Sequence, residues 1–321
     1  MKGTSVLITG ASGYLGSQLV AALAAGENRG RVIAADVREP SAEHRLPGVD
    51  YVVADVRSPE LIQRFEAWRV EVVVHLASIV TPGKASRREF EYSVDVQGTE
   101  NVLLACRASG VRKIIVSSSG AAYGYHADNP QPLTEDCPLR GNESFAYAHH
   151  KRLVEEMLAT WRVAHPELKQ VVFRIGTILG KTVRNQITDL FEKPRLLALR
   201  GADSPFVFIW DQDVVACLER AIATDRTGIY NLAGDGVLGL REIAARLGKP
   251  CLELPPGVLR LALQVLKPLG LTQYGPEQLD FLRYRPVLDN TRLKTEFGYV
   301  PQLTSAQVFE LYREARAEHG A

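Results

Sequence analysis

Cysteine is scarce in this chain: four thiols, Cys106, Cys137, Cys217 and Cys251, in 321 residues, with no Cys-x-x-Cys pair among them. That excludes a disulfide framework and a zinc site built on paired thiolates, and it points to a reducing cytoplasm. Charge of one sign is equally lacking. Lys plus Arg (38) nearly cancels Asp plus Glu (37), with no run of five like charges, so neither nucleic acid nor an acidic membrane surface is an expected partner. Long apolar runs are missing too: "SVLITG" breaks into glycine at once, and nothing later reaches the roughly eighteen apolar residues of a membrane span. The expectation is a chain neither exported nor anchored. Internal repeats and low-complexity tracts are absent.

What is there is 46% hydrophobic content, enough for a large α/β domain and a smaller one. Short runs rich in β-branched residues alternate with helical patterns: "SVLIT" (5–9), "RVIAAD" (31–36), "VDYVVA" (49–54), "VEVVVHLA" (70–77), "KIIVSS" (113–118) and "KQVVFRI" (169–175). Continuous apolar strands separated by helices predict a doubly wound parallel sheet covered on both faces, with right-handed crossovers. Residues 1–175 form this domain, and 207–232 return to it. Residues 176–206 and 233–321 make a smaller, mostly helical C-terminal substrate domain, with a helical stretch near 184–199. "VLRLALQVLKPLGL" (258–271) is apolar on one side, with Arg260 and Lys267 as its charges. It reads as a substrate-domain helix over a pocket in preference to a membrane-surface helix.

"TGASGYLG" (9–16) follows the first strand and opens a helix, with Gly10, Gly13 and Gly16 spaced G-x-x-G-x-x-G. Glycines permit the tight turn and the close approach of a pyrophosphate, whose charge meets N–H groups at the helix N-terminus. The sheet is therefore of the Rossmann type, and its ligand a dinucleotide. Asp36, twenty residues after Gly16, ends the second strand, where a carboxylate accepts ribose hydroxyls and repels a 2′-phosphate. NAD is favoured, and Arg38 nearby keeps NADP open. Asp55, after the third strand, is placed to reach the adenine.

"FAYAHHK" (145–151) draws the eye to His149 and His150, but Tyr147 and Lys151 are the pair spaced to share a helix face. A neighbouring ammonium favours tyrosinate, so the phenol can exchange a proton with an alcohol or carbonyl. His149 points away from that face, and adjacent histidines do not chelate one metal from a helix. His150 is at most a pocket neighbour, and no metal is expected. The fifth strand ends in "VSSSGAAYG" (116–124), which brings hydroxyls to the carboxyl edge of the sheet.

Together "TGASGYLG", Asp36, "HLAS", "DVQGTENVL", "SSSGAAYG", Tyr147 with Lys151, and "GIYNLAG" resemble the extended short-chain dehydrogenase/reductases, the NAD-dependent epimerase/dehydratase family. The resemblance implies Tyr147 as catalytic acid-base, Lys151 holding the ribose and tuning Tyr147, and Ser119 bonded to the reacting oxygen. It extends the dinucleotide contacts to Tyr14, Leu15, Val56, Leu76, Ala77 and Ser117. It also implies a homodimer built on the amphipathic segments 86–109 and 144–164.

Departures from the family pattern narrow the reaction. Family dehydratases carry Thr-Asp-Glu where this chain has Ser119, Gly120 and Ala121, so the acid and base for eliminating water are missing. Nucleotide-sugar epimerases usually carry Asn at Thr177 and grip the diphosphate with an Arg where Phe206 stands here, followed by Phe208 and Trp210. Thr177, Phe206 and Trp210 are thus the expected substrate contacts, for an alcohol or ketone with a fairly apolar body. A UDP-sugar 4-epimerase, gripping phosphate through Arg184, Arg195 or Arg200, is the alternative, and a non-catalytic dinucleotide sensor is third. His75 reads as a structural histidine and Glu135 and Asp136 as solvated loop charges. Asp95 stands where the family usually has Asn, and His150 where it more often has a small hydroxyl residue.

Overall fold

The β-branched runs become strands because their side chains pack on both faces of a pleated layer. In the computed structural model, which describes residues 3–26, 30–80, 87–266 and 278–319, these are β1 (Val6–Thr9), β2 (Val32–Asp36), β3 (Val49–Val53), β4 (Val72–His75), β5 (Lys113–Ser119) and β6 (Lys169–Ile175). With the strand Gly228–Leu232 they make one seven-stranded sheet, in the order 228–232, β6, β5, β4, β1, β2, β3. β1 lies between β2 and β4 and pairs with both in parallel, Val6 opposite Val32 and Val72. The chain order reverses at this point, and the crevice beyond the carboxyl ends of β1 and β4 is where such sheets bind ligands. β1 and β4 are buried throughout, whereas the edge strand β3 leaves Val53 exposed.

Helices α1 (Tyr14–Ala25), α2 (Leu61–Trp68), α3 (Arg88–Tyr92), α4 (Gly98–Ala108) and α5 (Ala146–Ala164) connect these strands, and the helix Asp211–Ala223 packs against α1. One core joins Leu7, Ile33, Val73, Ile114 and Val172 of the sheet to Phe65, Val102, Leu103, Val154 and Leu158 of α2, α4 and α5. Each such side chain contributes about 1.5–3 kcal/mol by leaving water. Lys113, buried at the start of β5, donates to the carbonyls of Ala221 and Thr224. Its ammonium thereby meets the negative end of the helix Asp211–Ala223.

The chain divides into two compact units, the first holding residues 1–119, 150–174 and 211–230. The second holds 120–149, 175–210 and 231–321, so 120–149, 175, 207–210 and 231–232 cluster apart from the sheet domain in which the sequence reading placed them. Its strands pair in twos: Thr177–Leu179 with Phe208–Trp210, Pro205–Phe206 with Leu238–Gly239, and Leu196–Leu199 with Cys251–Leu254. The helix expected near 184–199 covers only Gln186–Glu192. Asn185 starts it with a capping box, and Pro194 prevents its continuation into the strand that follows. Phe191, Phe206, Phe208, Phe309 and Tyr312 form an aromatic core here. In the helix Pro256–Leu266, Leu259 packs with Leu199 and Leu279 while Val258, Leu261 and Val265 are exposed. Lys267 and the rest of the 258–271 segment lie outside the described residues. Among those residues no helix is long and apolar enough to cross a membrane.

One polar contact fixes α5 on the sheet. Arg174 of β6 and Glu155 of α5 form a buried two-pronged ion pair at 2.7 and 2.9 Å, and the Ser118 hydroxyl of β5 also donates to Glu155. Removing one partner leaves an uncompensated charge in the core. Glu155→Leu should therefore lower stability by roughly 3–5 kcal/mol, and adding Arg174→Met should restore most of it. Urea unfolding midpoints of the two variants check this.

Candidate functional site

Gly10 has φ of +71°. A Cβ there would stand 2.7 Å from the Ala77 nitrogen, and one on Gly16 would stand 2.2 Å from the Gly10 carbonyl. Glycine at 10 lets the turn lie against the chain leaving β4 at Leu76 and Ala77, and glycine at 16 lets α1 start directly on the turn. Gly13 precedes α1 in an extended conformation and gives it no side-chain cap. A helix N-terminus of this kind is a seat for an anion. The Ser12 N–H donates to Asp36 Oδ2 at 2.9 Å, so the carboxylate expected at the ribose also holds the turn.

Other expected dinucleotide contacts have structural work of their own. The Tyr14 hydroxyl donates to Asp211 at 2.5 Å, tying α1 to the helix Asp211–Ala223. The Asp55 carboxylate accepts from Arg57, whose hydrogen bonds and charge hold it below the usual carboxylate range against the effect of burial. Val56 is buried under Gly98, where a Cβ would meet its Cγ2 at 2.6 Å.

His75 is buried between two threonines, with Nδ1 2.7 Å from Thr9 Oγ1 and Nε2 3.0 Å from Thr99 Oγ1. The Thr99 hydroxyl donates to the Asp95 carbonyl at 2.6 Å. Its proton is thereby committed, so Thr99 accepts from His75, whose proton is on Nε2 and whose Nδ1 accepts from Thr9. Burial, with Lys151 nearby, pushes the imidazole down to about 3. His75 is a neutral spacer and not an acid-base.

Serines 117–119 alternate across β5, as strand geometry requires. Ser118 faces Glu155, while Ser117 and Ser119 are half-buried on the opposite side. Lys151 Nζ donates to the Ser117 carbonyl at 2.8 Å. Tyr147, Lys151 and Glu155 follow each other at one-turn intervals along α5, and the lower two are fastened to consecutive β5 residues. His150 is buried, with Nδ1 3.1 Å from Asp95 Oδ2. The sequence reading missed this because the two residues are 55 apart, and only their shared departure from the family pattern hinted at it.

In the second unit Tyr147 joins Tyr125, Phe145, Phe281 and Tyr284 in an aromatic cluster. Thr177 and Trp210 are partly exposed. Phe206, expected to touch substrate, is a core residue: its ring stacks on Phe208 at 5.7 Å, and the Arg285 guanidinium lies over it at 4.1 Å. Arg285, which the sequence reading did not single out, is buried between Phe206 and Phe281 and reaches Thr177 Oγ1 at 3.5 Å. Burial lowers it to about 10. Arg184, Arg195 and Arg200 are exposed. Glu135 is not solvated: it is buried, accepts from the Asn231 N–H at 2.8 Å, and is raised by burial. Asp136 is exposed and pairs with Arg292. Among the described residues no group of His, Cys, Asp or Glu is arranged to hold a metal.

The family model described as "NAD dependent epimerase/dehydratase family" matches residues 6–233. An uncharacterized protein of Mycobacterium tuberculosis, Rv0501, is 28% identical over 316 residues, 97% of this chain and 84% of that protein. A UDP-glucose 4-epimerase of Erwinia amylovora is 34% identical over 187 residues, 55% of this chain and 54% of the epimerase. Among solved structures, the Bordetella bronchiseptica enzyme WbmG in complex with NAD and UDP is similar with a TM-score of 0.75 and 18% identity. That match covers 98% of this chain and 94% of WbmG.

The buried imidazole sets a pH dependence. Unfolded, His75 titrates near 6.5; folded, it is neutral down to about 3, so the unfolded state binds more protons between these values. Stability therefore rises with pH through this window and is lost on acidification. His75→Gln should remove about 2–3 kcal/mol of the loss between pH 7 and pH 4.5, as measured by urea unfolding at each pH.

Proposed function

The chain belongs to the NAD-dependent epimerase/dehydratase family, and from that premise we propose that it is an NAD-dependent oxidoreductase exchanging hydride with a secondary alcohol or ketone. The observation that carries this reading is α5 itself. Lys151 is tethered to the Ser117 carbonyl one turn below Tyr147, on a helix clamped by Glu155 and Arg174. Glycine at 10 and 16 lets the turn close against Ala77 and lets α1 start directly on it, and the uncapped N-terminus of α1 after Gly13 is suited to the charge of a pyrophosphate, so these residues would hold the dinucleotide. NAD bound there supplies the hydride acceptor or donor.

The chain's own residues do the rest. Asp36, held by the Ser12 N–H, accepts from the ribose hydroxyls. Lys151 donates to the ribose and favours the tyrosinate, Tyr147 takes the alcohol proton or returns it to the carbonyl oxygen, and Ser119 donates to that oxygen. Gly120 and Ala121 are buried and carry neither acid nor base, which argues against dehydration.

A UDP-sugar 4-epimerase is the second reading. The identity to the Erwinia amylovora epimerase favours it, and so does the buried Arg285 guanidinium over Phe206, the position at which such epimerases carry their phosphate-gripping arginine. The two readings differ in the fate of the cofactor. Net NADH absorbance accumulating with a hydroxyl substrate supports the dehydrogenase; conversion of UDP-glucose to UDP-galactose without net NADH supports the epimerase.

We also propose a homodimer through α3, α4 and α5. Phe90, Leu104 and Val163 on these helices are exposed apolar side chains, and residue 86 of the expected interface lies outside the described residues. A solution mass equal to one 35.4 kDa chain would refute the dimer. Tyr147→Phe should cut turnover by at least roughly a hundredfold in a preparation that still binds NADH. NAD(H) should raise the melting temperature more than NADP(H) at equal concentration. Equal or reversed shifts would remove the role given to Asp36.

A further inference from the structure

The buried pair Asp95–His150 has no part in the chemistry proposed above, yet it adjoins both the cofactor side of the sheet and Lys151. Asp95 lies in a single π-helical turn, Ser93–Gln97, between α3 and α4. Such turns are uncommon and frequent at functional sites. Its Oδ1 accepts from the Ser78 hydroxyl at 3.0 Å and from the Ile79 N–H at 2.8 Å, and its Oδ2 faces His150 Nδ1 at 3.1 Å. One carboxylate thus joins the segment leaving β4 to the helix that carries Lys151.

The two residues are chemically matched. An ionised carboxylate only accepts, so the residue opposite Oδ2 must donate, and His150 therefore carries its proton on Nδ1. Burial alone would raise the Asp95 carboxyl. The His150 bond, the nearby Lys151 ammonium, the Ile79 N–H and the Ser78 hydroxyl outweigh it and hold the group below the usual carboxylate range. Tyr92 packs edge-on against the His150 ring at 5.7 Å and fixes its plane. The two positions that depart from the family's usual Asn and small hydroxyl residue thus meet in one contact. Removing the imidazole alone leaves the buried carboxylate short of a donor, a loss that neutralising residue 95 as well would relieve.

We propose that Asp95 and His150 are a coupled positioning pair that holds the segment after β4 against α5, and thereby sets the NAD groove of the first unit and the reach of Lys151. The pair touches no reacting atom and acts through Ser78, Ile79 and the Lys151 backbone. This rests on the reading of the Gly10–Gly16 turn as the dinucleotide site.

NADH fluorescence titration, with urea unfolding run in parallel, tests the proposal in the full chain. His150→Ala should weaken NADH binding by about tenfold or more, because it strips a buried carboxylate of its donor. His150→Asn, which returns an N–H near the Nδ1 position, should stay within about threefold of the parent. Asp95→Asn combined with His150→Ser should bind NADH more tightly than His150→Ser alone, the signature of a coupled pair. Parent-like affinity in His150→Ala overturns the proposal, as does failure of both His150→Asn and the double variant to recover binding. If His150→Ala does not fold, the comparison of His150→Ser with the double variant decides alone. A parent protein that does not bind NADH refutes the dinucleotide reading instead, which separates the two failures.

Discussion

The ion pair between Arg174 and Glu155 is the constraint on which the remaining geometry depends. It is buried, so its cost is offset only while both charges and the Ser118 hydroxyl keep their places. Because Glu155 and Lys151 are one helical turn apart, fixing Glu155 against β5 also fixes the azimuth of α5. Lys151 then meets the Ser117 carbonyl, and Tyr147 occupies the next rung of the same stripe. A flexible lysine side chain would by itself specify little; an axis already locked makes its single hydrogen bond directional.

The glycine turn at the end of β1 depends on close approach in the same way. The backbone after β4 lies where a side chain at position 10 would otherwise be, and α1 begins where one at position 16 would be. Neighbouring strands thus bring the glycine turn and the segment 76–79 together, and Asp95 ties that segment to α5. The first unit is organised by packing among β1, β4, β5 and α5, with polar groups at the few points where elements must not rotate.

Much of this was legible in the sequence. Unbroken β-branched runs identified the strands of the parallel sheet, and the glycine spacing identified the turn, because both report local requirements of the backbone. The Tyr147–Lys151 spacing showed a shared face for the same reason. What the sequence concealed depends on partners distant along the chain. Glu135 looked like a solvated loop charge, but Asn231 meets it from the far end of the fold. Phe206 was expected to touch substrate, and it is core because Phe191, Phe208 and Arg285 enclose it. The helix read through 184–199 stops early because a strand pairing with Cys251–Leu254 claims Leu196–Leu199. Asp95 and His150 each appeared as an isolated oddity until α5 brought them together.

The hydrogen bonds around His75 all point one way. The Ala77 N–H donates to Thr9, Thr9 to His75, His75 to Thr99, and Thr99 to the Asp95 carbonyl. Their dipoles add head to tail, as peptide dipoles do in a short helix, with the positive end directed at residue 95. The interior of the sheet therefore contributes a standing field at the π-helical turn that favours a buried anion there. An uncharged histidine, two threonines and a backbone amide produce it, and solution counterions at ordinary salt screen so deep a field only weakly.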